Sequence, residues 1–179
     1  MAMTLIETNS DSTDIANIDF TSGIDSTYKL YIFKFINMNP STDSDNLGVQ
    51  FNVAGQSGFN ETITSAYFNA YHTEDDGAAV VGYAGGGDQE SGTSLQLIDQ
   101  NCGSAADENL CGTLWLFDPS NTTYVTNFYS EISTYGGDLN NYHVFMSGYV
   151  NATGAVDEVT FKFASGNNFD GIVSMYGVG

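Results

Sequence analysis

The stretch Tyr28–Ile36, which reads YKLYIFKFI, constrains the fold of this chain more than any other. Most of its residues are large and apolar, many are aromatic or β-branched, and no Gly, Pro or Asp interrupts them. This composition is typical of a β-strand with both faces largely covered, and the run is too short to cross a bilayer as a helix. Pro40 and the Ser/Asp cluster after it end the run. The sequence therefore predicts a buried central strand here.

The rest of the chain repeats this pattern in shorter form. Runs rich in aromatic and β-branched residues alternate with turns of Gly, Asn, Asp and Ser, and no amphipathic helix interrupts the series. A chain of 179 residues with 41% hydrophobic composition is large enough to bury a real core. About ten short strands at regular spacing predict an all-β, antiparallel β-sandwich of the jelly-roll type. We expect one domain over residues 1–179.

Alternation of apolar and polar residues predicts which side chains face the core. In Leu47–Val53 the even-numbered residues, including Gln50 and Asn52, are expected on a solvated face. In Glu158–Phe163 the side chain of Thr160 is expected outside. The side chains expected in the core are those of Leu47, Phe51, Leu114, Leu116, Val159, Phe161 and Phe163.

The charge balance limits the partners. Three basic residues stand against 22 acidic ones, which gives a formal net charge of −19. Nucleic acid is excluded as a partner because phosphate binding needs a Lys/Arg footprint, and anionic membrane surfaces are disfavoured for the same reason. Three explanations of the acidic excess remain open: function in salty water, divalent cations held between carboxylates, or a solvated surface that keeps the protein soluble.

One acidic cluster is a candidate metal site. His72, Glu74, Asp75 and Asp76 lie together in YHTEDDG, and clustered oxygen ligands suit Ca²⁺. The EF-hand spacing is absent, and carboxylates at the end of a strand are also common as solvated turn residues. Calcium at this cluster is the only cofactor that the sequence indicates.

The two cysteines, Cys102 and Cys111, enclose CGSAADENLC, which has neither zinc nor redox spacing. A disulfide would close a short loop and stabilise the fold by somewhat under about 3 kcal/mol. Two reduced thiols are the alternative, as expected for a protein made in a cytoplasm. The sequence leaves both states open.

No catalytic constellation stands out. No serine lies in a G-x-S-x-G context, and Gly85–Gly87 lacks the strand and helix that frame a phosphate-binding loop. His143 lies in a predicted strand and is interpreted as structural. The N-terminal residues show neither a basic region nor an apolar core of a signal peptide, and no run is long enough for a transmembrane helix. We therefore expect a non-enzymatic protein that is synthesised in a cytoplasm.

Several phrases of the sequence carry a resemblance. TLIET, IDFTSGIDSTY with its aromatic strand, AYHTEDD, LFDPSNTTYV and the closing FDGIVSMYGVG occur in that order over most of the chain. In these phrases the chain resembles a group of marine bacteriophage virion proteins of unassigned role. The resemblance implies a structural protein of the virion, and it transfers no functional residues.

The first functional hypothesis is a capsid decoration (cement) protein on the outer capsid surface. Its expected partners are other copies of itself, the major capsid protein or other virion proteins. We expect a homotrimer with the strands Thr4–Thr8 and Ile172–Val178 near the contact. The alternative is a tail-fibre or receptor-binding head that recognises host glycan, with exposed Tyr side chains and Trp115 as sugar platforms. An enzyme such as a glycan depolymerase is less favoured.

Overall fold

The computed structural model describes residues 2–179, with the side chains of residues 11–14 left aside. The described residues form twelve β-strands and no helix. In chain order the strands are β1 (Met3–Ile15), β2 (Ile18–Phe20), β3 (Leu30–Pro40), β4 (Leu47–Val53), β5 (Ile63–Thr73), β6 (Ala79–Tyr83), β7 (Gln96–Leu97), β8 (Leu110–Phe117), β9 (Thr126–Tyr135), β10 (Asn140–Val150), β11 (Val156–Phe163) and β12 (Phe169–Val178).

Two antiparallel sheets make up the sandwich. The larger has the order β1-β12-β3-β8-β9-β10-β5-β6, and the smaller has the order β2-β11-β4-β7. Strand pairs nest from the ends of the chain inward: β1 pairs with β12, β2 with β11, β3 with β8 and β4 with β7. This nested pairing across two sheets is the arrangement of a jelly roll. The predicted jelly-roll-like sandwich is therefore confirmed, with twelve strands instead of about ten.

Two inserted hairpins account for the unequal sizes of the sheets. The β5–β6 hairpin lies between the jelly-roll strands β4 and β7, and the β9–β10 hairpin lies between β8 and β11. Both hairpins join the larger sheet beyond β8, at the end away from β1. We call the four strands β9, β10, β5 and β6 the overhang.

The predicted central strand is β3, which lies between β12 and β8. Tyr31, Phe33 and Phe35 point inward and are buried. A bulge follows them, where Asn37 adopts a left-handed backbone conformation with φ 51°, and Ile36 beside it is exposed. The prediction of a covered strand is confirmed except at this outer end.

Aromatic side chains join the two sheets. The ring of Phe161 on β11 lies 5.2 Å from that of Phe33, 5.0 Å from that of Phe35 and 6.2 Å from that of Phe20, in edge-to-face contacts. Such contacts add to the stabilisation that comes from burying the rings. All seven side chains predicted for the core are fully buried, so this prediction is confirmed.

The predicted solvated face of β4 is wrong. Every residue of β4 is buried, Gln50 and Asn52 included. The Gln50 side-chain amide donates to the carbonyl oxygens of Glu61, Thr93 and Ser94 at 3.0, 3.1 and 3.0 Å, so the segments that flank the β5–β6 hairpin cover this face. Thr160 lies directly opposite Gln50 on β11 and is also buried, so its predicted outward position is wrong as well. Polar side chains can alternate along a covered strand when backbone carbonyls satisfy them.

Candidate functional site

The predicted calcium cluster lies at the end of β5 and in the turn after it. The His72 Nε2 and Asp76 Oδ1 atoms are 3.0 Å apart, and both side chains are exposed. Asp75 instead accepts a hydrogen bond from the Gly77 N–H at 2.9 Å, and hydrogen bonds from Thr73 and Gly77 lower the pKa of its carboxyl. The Glu74 carboxylate accepts a hydrogen bond from the Tyr135 hydroxyl, and this bond raises the pKa of Tyr135. Among the side chains that the structure describes, no three of His, Cys, Asp or Glu gather to hold a metal ion. Within the predicted cluster the contact is between His72 and Asp76.

Of the two states that the sequence leaves open for the cysteines, the structure has the reduced one: Cys102 and Cys111 are both free thiols. Cys102 is fully buried, with its sulfur 3.6 Å from the Gly103 carbonyl oxygen, and burial raises the pKa of this thiol. Cys111 lies on β8, where its sulfur is 3.3 Å from the Asn37 backbone nitrogen at the β3 bulge. Each sulfur therefore contacts the backbone of a different segment.

One surface of the larger sheet is rich in apolar and aromatic side chains. We define the outer face as the outward-facing side chains of β3, β8, β9, β10, β5 and β6, on the side of the larger sheet away from the core. The alternation of buried and exposed residues along β9 fixes this side, and cross-strand partners lie on the same side. Its apolar and aromatic members are Leu30, Ile32, Ile36, Ala66, Phe68, Ala70, Ala79, Val81, Tyr83, Trp115, Phe117, Tyr129, Tyr135, Phe145 and Tyr149.

The aromatic rings of the outer face pack side by side. Trp115 stacks on Tyr129 with ring centroids 4.4 Å apart, and Phe117 stacks on the same tyrosine at 5.7 Å. Phe68 and Phe145 stack at 5.0 Å with nearly parallel planes. Because these rings pack against one another across neighbouring strands, they form a continuous apolar surface.

This packing bears on the predicted sugar platform. Trp115 is half-buried, with Tyr129 opposite it on β9 and Ile32 opposite it on β3. A platform for a pyranose needs an open ring face, and the two neighbours flank the indole on both sides. The structure therefore offers no such platform at Trp115.

The outer face is almost free of charge. Among the outward positions of its six strands, all of them described, Glu131 is the one carboxylate, although the whole chain has 22 acidic residues. His143 lies 3.0 Å from the Glu131 carboxylate, and Lys34 donates to the Thr113 hydroxyl at 3.4 Å. The one carboxylate of this face is therefore paired, and Lys34 is its one lysine. The structural role of His143 stays a prediction.

Both edges of the larger sheet expose some large apolar side chains. Within residues 2–179 no strand pairs with the outer edge of β6, where Val81 is 77% and Tyr83 64% exposed. At the opposite edge β1 exposes Met3 and Leu5 and pairs with β12, so the first and last strands lie together. Edges without Lys or Pro are prone to pair with other chains.

A polar cavity of about 510 Å³ lies on the inner side of the overhang. Tyr67 of β5 and Tyr142 of β10 contribute inward-facing side chains. Asp138 comes from the β9–β10 turn, and Asn46, Asp99 and Asn101 come from the segments next to β4 and β7. The Tyr142 hydroxyl donates to the Asp138 carboxylate at 2.7 Å.

Asp99 is the most perturbed group of this cavity. Its side chain is fully buried, Thr134 donates to its Oδ1 atom, and no protein group donates to its Oδ2 atom. Burial raises the pKa of Asp99 from 3.8 to about 7, and the nearby Asp45 carboxylate acts in the same direction. Nothing in the sequence pattern had singled out this carboxyl.

Comparisons with known proteins do not place this chain in a family. No family model and no curated protein matches the chain. Among solved structures, a marine alginate lyase from Aplysia kurodai has 10% identity and a TM-score of 0.29, over 83% of this chain and 71% of the lyase. An exo-inulinase from Aspergillus awamori has 9% identity and a TM-score of 0.27, and the chain spans 30% of its length. Similarities this low carry no argument about function. Within residues 2–179 no helix is long and apolar enough to cross a membrane.

Proposed function

We propose that this chain is a non-enzymatic phage virion protein, a decoration protein that docks through its outer face on the outer surface of the capsid. The observation that carries the proposal is the segregation of charge. A chain with net charge −19 leaves one broad aromatic surface with a single carboxylate, which is itself paired with His143. Apolar patches of this kind mark protein interaction sites, and the depletion of charge is typical of the centre of an interface.

The arrangement suits a decoration protein in a second way. A jelly roll that docks by one sheet keeps its acidic loops and its smaller sheet toward solvent, where carboxylates are well hydrated. Aromatic side chains with few rotatable bonds form good interface anchors at low entropic cost. The major capsid protein is the partner that we assign to the outer face.

The docking is tested with a matched pair of substitutions. Tyr129→Glu places a carboxylate inside the outer face, at a tyrosine that is 39% exposed. Tyr124→Glu makes the same chemical change in the β8–β9 loop, at a tyrosine that is 72% exposed. Burying an unpaired carboxylate in an interface costs several kcal/mol, so Tyr129→Glu should weaken binding to capsids that lack this protein by at least about tenfold. Tyr124→Glu should bind as the wild type does. Equal binding by both variants would contradict docking through the outer face.

The proposal includes the association of free chains into a homotrimer. The apolar edges at β6 and at β1 are the surfaces through which copies would join in a homotrimer. Because like charges oppose assembly, the trimer should be favoured as added salt screens them. Sedimentation of the purified chain across a salt series measures this directly. A monomer at every salt concentration would contradict the trimer, and the capsid-binding comparison would still test the docking.

A further inference from the structure

We infer that the polar cavity beneath the overhang is a binding site for an uncharged sugar. The cavity lies on the opposite side of the larger sheet from the outer face, since Tyr67 and Tyr142 point inward from strands whose other side carries Phe68 and Phe145. Docking through the outer face and binding in the cavity therefore use different surfaces of the same sheet. A volume of about 510 Å³ lies within the range of about 300–1,000 Å³ typical of small-molecule sites.

The groups in the wall match the chemistry of hydroxyls. A hydroxyl both donates and accepts hydrogen bonds, so it pairs with amides and carboxylates alike. The wall contains the side-chain amides of Asn46, Gln100 and Asn101 and the carboxyls of Asp99 and Asp138. Several of these groups are already held in place: the Asn46 Oδ1 atom accepts the Asn101 N–H at 2.7 Å, and Asn69 donates to Gln100. A prearranged set of donors and acceptors fixes the orientation of a polyol at little entropic cost.

One buried carboxyl oxygen points to a ligand that forms hydrogen bonds. The Asp99 Oδ2 atom, on a fully buried side chain in the cavity wall, has no protein partner. Buried polar atoms are almost always hydrogen-bonded in folded proteins. A sugar hydroxyl can accept a hydrogen bond from the protonated carboxyl or donate one to the carboxylate, so it suits the Oδ2 atom in either state.

The electrostatics exclude acidic sugars. The cavity wall includes Asp99 and Asp138 and no basic residue. Of the three basic residues of the chain, Lys29 pairs with Asp118 at 2.7 Å, Lys34 lies on the outer face, and Lys162 lines a different cavity. A uronic acid or a phosphorylated sugar would therefore meet two carboxyls and no counterion, in a chain of net charge −19. The site selects neutral hexoses over their acidic counterparts.

The test is a titration of the isotopically labelled, full-length protein, followed by nuclear magnetic resonance. Glucose, galactose and mannose are the probes, and glucuronate is the charged control of nearly the same shape. At least one neutral hexose should shift the resonances of Gly86, Gly87, Asn101 and Tyr142 in a saturable way, and glucuronate should bind at least about tenfold more weakly. Shifts confined to other parts of the molecule, no saturable shift with any hexose, or equal binding of glucuronate would each overturn the inference.

Two substitutions to phenylalanine provide a matched pair. A Cβ atom built on Gly86, in the cavity wall, meets no other atom within 4 Å, and this residue does not have a left-handed backbone. Val81 of β6 is 77% exposed and points to the outer face, away from the cavity. Both Gly86→Phe and Val81→Phe should therefore fold. Gly86→Phe should weaken hexose binding at least about tenfold by filling the cavity, and Val81→Phe should leave it unchanged. Equal affinity in the two variants would overturn the site. Gly86→Phe should still bind capsids, so a failure of the sugar site is distinguishable from a failure of the docking.

Discussion

Replacing Phe161 with alanine should lower the free energy of unfolding by about 3–5 kcal/mol, which is a large part of the stability of a domain this size. Phe161 is fully buried and lies at the centre of an aromatic cluster that contains Phe20, Phe33 and Phe35. These partners come from β2 and β3, so the ring links the two sheets. Removing it leaves a cavity between the sheets that the strands cannot close, because each is held by hydrogen bonds to its neighbours.

Urea denaturation of the wild type and two variants measures this effect. Phe68→Ala removes the same ring from the outer face, where the side chain is 45% exposed, and it should cost about 1 kcal/mol or less. Both variants lose a phenyl ring, so the difference between their free energies of unfolding reports the contribution of the inter-sheet cluster. A loss below about 1 kcal/mol for Phe161→Ala would show that the sheets are not joined in this way.

The second large effect concerns Asp99, whose substitution should stabilise the fold where that of Phe161 destabilises it. Asp99→Asn should raise the free energy of unfolding at pH 8 by up to about 4 kcal/mol. Burial raises the pKa of Asp99 to about 7 in the folded chain, compared with 3.8 for an ordinary Asp. The folded state therefore holds this proton more tightly than the unfolded state does. The stability that the protonated carboxyl contributes is fully present below about pH 4 and is lost as the pH rises to about 7 and above.

Asparagine imitates the protonated carboxyl, since it keeps the Oδ1 acceptor for Thr134 and carries no charge. Urea denaturation of the wild type and Asp99→Asn at pH 5 and pH 8 checks the prediction. The advantage of the variant should grow with pH, and the other acidic residues, common to both proteins, cancel in the difference. A constant difference between the two proteins at both pH values would contradict a raised pKa for Asp99.

Much of the fold follows from local patterns. The apolar run in β3 and the alternation in β11 predict the buried faces of those strands, because side chains of a strand alternate with a period of two. The covered face of β4 could not be predicted in this way, since Gln50 is buried by backbone carbonyls of segments far along the chain. A polar residue looks the same in the sequence whether water or a carbonyl satisfies it.

The candidate sites depend on registers that the sequence does not reveal. Phe68 and Phe145 come together only because β5 pairs with β10, although their aromatic character is plain in the sequence. Asp99 follows the apolar residues Leu97 and Ile98, and an acidic residue at the end of such a run is ordinarily a solvated turn residue. Its partner Thr134 lies on β9, and strand order brings that strand next to it. The carboxylates of YHTEDDG are easier to notice in the sequence than Asp99 is. In the structure, Asp75 accepts a hydrogen bond from Gly77 and Asp76 contacts His72, both within the same turn region.

Counting the copies of this chain in purified phage particles tests the decoration role most directly. A decoration protein occupies a site that capsid symmetry repeats, so the proposal predicts on the order of hundreds of copies per particle, all on the head. Quantitative mass spectrometry against the major capsid protein gives this ratio. Tens of copies or fewer, or copies confined to the tail, would contradict capsid decoration and favour a receptor-binding role.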